Sequence, residues 1–230
     1  WLAQRLRRDD RPIGIVSRGH GGSRNEDPML VAKGGEILAT AAEAGDEPLL
    51  FANNGIADVV AVGRERADAA RLAERQGVGL LLLDDGFQHR RMHRDLDLVL
   101  LDASDPFGGG RGLPAGLLRE PRRGLRRADL LLLTRCPTEL AAREDFISPA
   151  DAPQELADLL GSDRDQIPIA ASTHAPVSLI DPDGQQLGLE ALDGVRVVAV
   201  SGIAQPESFE RTLESLGARV REHLARDDHH

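Results

Sequence analysis

The chain alternates short apolar runs with longer amphipathic stretches. Aliphatic runs without polar alternation, the pattern of strands buried on both faces, occupy residues 13–16, 58–62, 79–83, 96–101 and 129–133. Residues 65–76 carry alanines and a leucine at roughly helical spacing. Such strands belong to parallel sheets flanked by helices. The first half of the chain is therefore predicted to be a doubly wound, mostly parallel α/β domain.

The pattern changes after Arg135. Residues 137–164 are polar and rich in Ala, Asp and Pro, so we predict a domain boundary near residue 140. Beyond it, a strand running into a turn is expected at 177–184, a buried strand at 196–201 and a helix at 207–216. The predicted organisation is a first domain at 1–140, then a linker and a smaller second α/β domain at 141–230.

Composition narrows the function classes. The net charge of −10 argues against binding nucleic acid through the whole surface, although Arg119 to Arg127 form a local basic stretch. The single cysteine, Cys136, can form neither an internal disulfide nor a zinc site. No apolar run in the sequence is long enough to cross a bilayer, and a signal peptide is not expected from its pattern. The first residue is not Met, and we interpret both chain ends as truncations.

Polar residues that follow the strands are the first candidates for chemistry, because ligands of open α/β sheets bind at the carboxyl ends of the strands. Asp84 and Asp85 follow four leucines, which is the arrangement of acids that hold a nucleotide's Mg²⁺. An ordinary acidic turn fits the same residues equally well. Both interpretations stay open on this motif alone.

Further candidates lie in loops. Asp46, in Ala-Gly-Asp-Glu-Pro, fits a base beside a substrate hydroxyl, or an acid at a helix N-terminus. Arg119 and Glu120 fit a phosphate ligand and a metal ligand, or a solvated pair. Asp227 to His230 fit a metal site or proton-transfer unit, or a frayed tail. The basic stretch fits an anionic substrate or membrane surface, or a solvated face.

Residues 17–22, Ser-Arg-Gly-His-Gly-Gly, form a glycine-rich segment after a strand. It is not a phosphate-binding P-loop, because it lacks the Gly-Lys-Ser/Thr ending, and no such loop occurs elsewhere in the chain.

The order of these motifs is more specific than any one of them. In sequence they are Ser-Arg-Gly-His-Gly-Gly at 17–22, Ala-Gly-Asp-Glu-Pro at 44–48, Leu-Asp-Asp-Gly-Phe-Gln-His-Arg at 83–90, Arg-Asp-Leu at 94–96, Leu-Pro-Ala-Gly-Leu-Leu-Arg-Glu-Pro at 113–121, Arg-Arg-Ala-Asp at 126–129, Ser-Gly-Ile-Ala at 201–204 and Asp-His-His at 228–230. This series resembles the tetraacyldisaccharide 4'-kinases from end to end. The 84–89 and 114–121 elements are the most specific to that family.

The resemblance implies a P-loop-kinase-like α/β fold with a second, smaller α/β domain. It implies transfer of the γ-phosphoryl group of ATP, with Mg²⁺, to the 4'-hydroxyl of the tetraacylated glucosamine disaccharide 1-phosphate, the precursor of lipid A. The expected location is the cytoplasmic face of the Gram-negative inner membrane, as a peripheral protein. The expected partners are this lipid precursor and the membrane surface, with no nucleic acid.

Residue roles also follow from the resemblance. Asp46 matches the proposed catalytic carboxylate, and His229 matches the histidine thought to pair with it. Asp84 and Asp85 match the acids that hold the metal, and Glu120 matches a further acid near it. The motif positions expected to contact the cofactor are Arg18, His89 and Arg119.

Two departures from the family pattern matter. The family's Gly-Gly-x-Gly-Lys-Thr loop and membrane helix are missing, and Arg226 or Asp227 replaces an expected aromatic residue before Asp-His-His. We therefore expect a fragment, inactive as a kinase by itself. The alternatives are a non-catalytic nucleotide-fold scaffold, another P-loop-fold ligase, and a metal-dependent hydrolase built on Asp84, Asp85, His229 and His230.

Overall fold

The computed structural model describes residues 1–8, 10–23, 27–161, 167–203 and 205–226. Two compact units divide the chain, Trp1–Ala171 and Ser172–His230. The strands, in chain order, are β1 (Ile13–Ser17), β2 (Met29–Lys33), β3 (Glu36–Ile37), β4 (Val59–Val62), β5 (Leu80–Leu83), β6 (Leu98–Asp102), β7 (Leu130–Thr134), β8 (Ile169–Ala171), β9 (Leu179–Ile180), β10 (Gln186–Leu187), β11 (Arg196–Ser201) and β12 (Arg219–Ala225). The α-helices are α1 (Leu2–Leu6), α2 (Ala41–Ala44), α3 (Asp46–Asn53), α4 (Arg66–Glu74), α5 (Thr138–Ala141), α6 (Gln154–Leu160) and α7 (Pro206–Ser215).

The first unit contains a five-stranded sheet in the order β3-β2-β4-β1-β5. Strands β4, β1 and β5 are parallel, as predicted, while β2 and β3 add an antiparallel hairpin at one edge. The hairpin turns through Gly34 and Gly35, which have φ values of 58° and 86°. Positive φ at both positions is the geometry of a tight two-residue hairpin turn, for which glycine is preferred.

Helices cover both faces of this sheet. On one face, Ile13, Ile15 and Val60 pack with Ala52 of α3. On the other, Val16 and neighbouring strand residues pack with the alanines of α4. The small alanine side chains let α4 approach the sheet closely. The predicted doubly wound α/β arrangement is thereby confirmed.

A separate parallel sheet in the same unit has the order β6-β7-β8. Leu131 and Leu133 of β7 are fully buried and pack with Leu156 of α6 and Ile169 of β8. Because β8 extends this sheet, the first compact unit continues to Ala171, past the boundary predicted near residue 140. The domain limits of the complete protein stay a prediction.

Strands β5 and β6 lie at the edges of their sheets, although their aliphatic sequences predicted strands in the interior of a sheet. Among the described residues, β5 pairs only with β1, and β6 pairs only with β7. Burial on both faces holds for β1 and β4, whose residues are all buried, and is wrong for β5 and β6. Leu100 of β6 is 60% exposed, because nothing among the described residues covers that face.

The second unit contains a hairpin and a crossover. Strands β9 and β10 are antiparallel, and their turn closes through hydrogen bonds from Asp183 N and Gln185 N to Asp181 Oδ1. Strand β11 leads through α7 to β12, which lies parallel to it. Among the described residues, no helix has the length and apolarity needed to span a bilayer.

Candidate active site

The carboxyl ends of three parallel strands lie side by side in the first unit. Ser17 of β1 is in register with Val62 of β4, and Val16 is in register with Leu83 of β5. The residues that directly follow these strands therefore share one edge of the sheet. That edge is where an open α/β sheet binds its ligands.

Asp84, the first residue after β5, is held at this edge by β1. Its backbone N–H donates to the carbonyl of Val16 at 2.9 Å. The Ser17 hydroxyl, which is 3% exposed, donates to Asp84 Oδ2 at 3.0 Å. A carboxylate oriented by a buried hydroxyl has a defined direction, which a metal ligand requires. Ser17 was not singled out from the sequence, although its position at a strand end was the available signal.

Asp85 adopts a left-handed backbone conformation, with φ of 49°. Its Oδ2 accepts a hydrogen bond from Arg119 Nη1 at 2.5 Å. Both side chains are more than half exposed, at 56% and 59%. An exposed ion pair contributes little stability and exchanges partners readily. The predicted cofactor-binding arginine is thus paired with a predicted metal-binding acid.

Glu120 is held more firmly. Arg127 donates two hydrogen bonds to its carboxylate, both at 2.9 Å, and Gln88 donates a third at 3.2 Å. The hydrogen bonds from Arg127 lower the pKa of Glu120 below its ordinary value, against the opposing effect of burial. The guanidinium of Arg127 also stacks 4.5 Å from the centre of the Phe87 ring. The segments 83–90 and 113–121 therefore meet through Asp85 with Arg119 and Gln88 with Glu120.

Asp46 begins α3 and is exposed. Gly45 precedes it with φ of 91°, and a Cβ on Gly45 would overlap the carbonyl oxygen of His20. The N–H of Ser23 donates to the carbonyl of Ala42 at 2.9 Å. The segment that carries Asp46 is therefore packed directly against the loop that follows β1.

The predicted positions His89 and Arg18 have different surroundings. His89 Nε2 is buried without a hydrogen-bond partner among the described residues, and the His89 carbonyl accepts from Arg94 Nη1 at 2.8 Å. Arg18 is exposed and directly follows β1. Its positive charge lowers the pKa of the Arg66 guanidinium. Arg18, Ser17, Asp84 and Asp85 together form a strand-end cluster at the carboxyl ends of β1 and β5. Among the described residues, His89 Nε2 makes no hydrogen bond to this cluster.

The basic stretch 119–127 is largely engaged with neighbouring groups. Its contacts are Arg119 with Asp85, Arg122 with Glu155, Arg126 with the Leu159 carbonyl and Arg127 with Glu120. Arginines committed in this way present less positive charge than the sequence suggests.

A cavity of about 150 Å³ lies beside this segment. Its lining is mainly apolar, from Phe87, Leu101, Phe107 and Leu117, with Arg119 at the same cavity. Small-molecule sites usually have volumes of roughly 300–1,000 Å³, so this cavity is small for one.

His229 lies outside the described residues, so its pairing with Asp46 stays a prediction. Over the described part of the chain, no group of three or more His, Cys, Asp or Glu side chains converges as a metal site. Magnesium does not require one, because it keeps several water ligands and uses one or two carboxylates together with substrate phosphates. Asp84 and Asp85 fit that requirement.

The second unit contains a hydrogen-bonded chain of three side chains. Ser201 Oγ lies 2.8 Å from His223 Nε2, and His223 Nδ1 lies 3.1 Å from Glu210 Oε2. The chain joins the end of β11 to β12 and α7. Ser201 is the first residue of the Ser-Gly-Ile-Ala motif. In the parallel pairing of β11 with β12, it is in register with Ala225.

Comparison with known proteins adds to this geometry. A family model described as tetraacyldisaccharide-1-P 4'-kinase matches residues 1–230. A tetraacyldisaccharide 4'-kinase of Anaeromyxobacter sp. (strain K) is 46% identical over 236 residues, covering 100% of this chain and 58% of the relative. That of Syntrophotalea carbinolica is 40% identical over 230 residues, covering 100% and 59%.

A solved structure of LpxK from Aquifex aeolicus in complex with ATP has a TM-score of 0.64 and 30% sequence identity. The similarity covers 96% of this chain and 63% of that chain. The chain thus spans about three fifths of the length of the proteins it matches, as the 58% coverage of the Anaeromyxobacter relative shows. Because the family model matches residues 1–230, the whole of this chain, the chain belongs to the tetraacyldisaccharide 4'-kinase family.

Proposed function

We propose that the complete protein transfers the γ-phosphoryl group of ATP to the 4'-hydroxyl of the tetraacylated disaccharide 1-phosphate precursor of lipid A. The observation that carries the proposal is the joining of separate family motifs at one sheet edge. Ser17 bonds to Asp84, Arg119 to Asp85 and Gln88 to Glu120. The names of the relatives support the same activity.

Phosphoryl transfer depends on positioning and charge neutralisation more than on covalent chemistry. When bound, ATP supplies the phosphoryl group and Mg²⁺ neutralises charge on its phosphates. Asp84 and Asp85 would hold the metal, with Ser17 fixing the direction of Asp84. Glu120 is kept as a carboxylate by Arg127 and would support the metal's hydration shell.

Arg119 has a second role in this proposal. Its pair with Asp85 is exposed on both sides, so a phosphate oxygen can replace the carboxylate at small cost. Binding of nucleotide would then release Asp85 for the metal as it engages Arg119. Arg18 and His89 stay proposed cofactor contacts on the resemblance.

Asp46 is the proposed base that accepts the proton of the acceptor hydroxyl. Its exposure leaves it accessible to an incoming substrate. The pairing with His229 and the inactivity of these 230 residues alone stay predictions.

The acceptor is a lipid, so the complete protein is proposed to work at the cytoplasmic face of the inner membrane, as a peripheral protein. A nucleic-acid partner is not proposed, because the chain has a net charge of −10. The ligase and scaffold alternatives lack support from the matched relatives, which are kinases by name.

The test uses the complete protein with radiolabelled ATP, Mg²⁺ and the disaccharide 1-phosphate in detergent. We expect labelled lipid product from the unaltered protein. Asp46→Ala and His229→Ala are each expected to lower turnover about 10²–10⁴-fold, since a base acts mainly in the transition state. ATP affinity should change little in both.

Glu36→Ala is the matched control, because Glu36 is an exposed acid of the same sheet outside every motif. Its turnover should equal that of the unaltered protein. Absence of lipid product from folded protein would disprove the proposed activity. Normal turnover in both Asp46→Ala and His229→Ala would disprove their roles while leaving the activity intact.

A further inference from the structure

Arg66 is a buried charge that no sequence motif drew attention to. It is the first residue of α4 and is only 5% exposed. It lies on the same helical face as Ala69, Ala70 and Ala73, which pack against the sheet. An arginine at the start of an alanine stripe is the signal in the sequence. Arginine is rarely buried unless it is paired.

The described residues meet the hydrogen-bonding capacity of the Arg66 side chain only in part. Its Nη1 donates to the backbone carbonyls of Gly63 and Arg64, at 3.2 and 3.3 Å. Its Nε is buried and has no hydrogen-bond partner in the described part of the chain. Arg127 also has a buried Nε without a partner among the described residues, but the carboxylate of Glu120, which accepts two hydrogen bonds from Arg127, balances its charge. Arg66 has backbone carbonyls where Arg127 has a carboxylate.

The surroundings of Arg66 are those of the strand-end cluster. Burial lowers the pKa of Arg66, and the charge of Arg18 lowers it further, while Asp85, Asp84 and Glu65 act in the opposite direction. The strand geometry places it there: Arg66 comes four residues after Val62, the last residue of β4, and Val62 is in register with Ser17 of β1. Arg66 therefore lies at the same edge of the sheet as the residues that follow β1 and β5. Two arginines brought together beside a sheet edge repel each other, and an anion between them removes that repulsion.

A phosphate group is the anion of the proposed reaction that fits this arrangement. The planar guanidinium matches two phosphate oxygens at once, and a charge-assisted pair is stronger in a buried position. The nearby carboxylates would repel the phosphate unless a divalent cation lay between them, and that is the arrangement of a metal-bound phosphoryl group.

We propose that Arg66, together with Arg18, binds a phosphate group at the carboxyl edge of β1, β4 and β5. The proposal rests on the proposed function and deepens it. The phosphate has two possible sources, the terminal phosphate of the nucleotide or the phosphate already present on the acceptor.

The experiment measures binding directly by calorimetric titration of the complete protein. The variants are Arg66→Met, which removes the charge, and Arg66→Lys, which keeps the charge but loses the planar fork. Arg71→Met is the control, because Arg71 lies on the same helix, is exposed and forms an ion pair with Asp68. The probes are Mg-ATP, Mg-ADP, the disaccharide 1-phosphate in detergent and its dephosphorylated analogue.

If the nucleotide supplies the phosphate, Arg66→Met should lower affinity for Mg-ATP about 10–100-fold, with a smaller change for Mg-ADP. If the acceptor supplies it, the same loss should appear for the disaccharide 1-phosphate and not for the dephosphorylated analogue. Arg66→Lys should lie between the unaltered protein and Arg66→Met. It keeps the test valid if Arg66→Met does not fold.

Unchanged affinity of Arg66→Lys and of any folded Arg66→Met for every probe would overturn the proposal, as would equal losses in Arg71→Met. The outcome is separable from the proposed function. Binding that depends on Arg66 without transfer to lipid would reject only the kinase activity, whereas normal binding by the variants of an active kinase would reject only this site.

Discussion

Asp102, at the carboxyl end of β6, has a pKa set by competing effects. Burial raises the pKa of its carboxyl, but hydrogen bonds from Ser104 and the charge of Arg135, whose Nη1 lies 2.7 Å from Oδ2, together lower it. A lowered pKa means that the folded chain favours the carboxylate more than the unfolded chain does. The resulting stabilisation is complete above the unfolded pKa of about 3.9 and is lost as pH falls through the folded value.

Asp102→Asn is therefore expected to lower the free energy of unfolding by about 0.5–1 kcal/mol at pH 7. The difference from the unaltered chain should shrink as pH falls below about 4. Urea unfolding at pH 7, 5 and 3 measures it. Asp145→Asn, at an exposed acid of the same unit, is the control. A loss of equal size at all three pH values would show that the effect is steric.

Gly45 offers a second prediction at the level of one residue. Alanine there meets both a positive φ of 91° and the carbonyl oxygen of His20. Gly55 has a φ of 57° and no heavy atom within 4 Å of an added Cβ, so it shows the cost of a positive φ without a close contact. Gly45, at φ 91° and ψ 162°, also lies in a region that almost only glycine occupies. Gly55→Ala should cost about 1 kcal/mol, and Gly45→Ala about 1–3 kcal/mol more. Thermal unfolding compares them, and equal losses would contradict the close contact.

Among the elements, those with strong local patterns could be predicted from the sequence. The aliphatic runs became β1, β4, β5, β6 and β7, and the alanine stripe became α4. The β2–β3 hairpin and β12 were missed. Strand β12 reads Arg-Val-Arg-Glu-His-Leu-Ala and is mostly exposed, so its apolar signal is weak. Its position depends on pairing with β11 and on contacts with α7, neither of which the local pattern shows.

In the candidate site, too, local patterns could be predicted from the sequence and contacts between distant segments could not. Asp84 and Asp85 could be predicted because acids at strand ends meet at one edge of a parallel sheet. The pairing of Arg119 with Asp85 and of Glu120 with Gln88 could not, since contacts between distant loops depend on tertiary structure. Arg66 was missed because helical patterns direct attention to apolar positions, and a buried cation looks like a surface residue.

The chain of Ser201, His223 and Glu210 gives a prediction for the crossover element. With a proton on Nδ1, His223 donates to Glu210 and its Nε2 accepts from the Ser201 hydroxyl. Ser201→Ala and Glu210→Ala should each lower stability by about 0.5–1.5 kcal/mol. Because both act through one histidine, the double variant should lose less than the sum, by about 0.5–1 kcal/mol.

Hydrogen exchange of the β11 and β12 amides is the suitable measurement, since it reports the stability of this element alone. Glu214→Ala is the control, because Glu214 is exposed on the same helix. Strictly additive losses in the double-variant cycle would show that the three side chains do not act together.

For the whole molecule, the exposed face of β6 has a consequence for solubility. Leu100 is 60% exposed, whereas its neighbour Val99 packs against the core. Exposed apolar strands at sheet edges promote association between chains. Leu100→Lys should therefore reduce aggregation of these 230 residues with little change in folding, and Val99→Lys should unfold the unit. Light scattering and circular dichroism test both, and unfolding by Leu100→Lys would contradict this account.

The contacts of Gly22 and Gly45 also bear on how this sequence can be inherited. A Cβ on Gly22 would overlap the carbonyl oxygen of Glu43, and a Cβ on Gly45 would overlap that of His20. The two loops are therefore shaped to each other's backbones. A recombination breakpoint between residues 22 and 45 would join loops from different ancestors that had never been matched. Chimaeras of this family should tolerate crossovers outside residues 17–46 far better than inside, so the segment is expected to pass between lineages as one block.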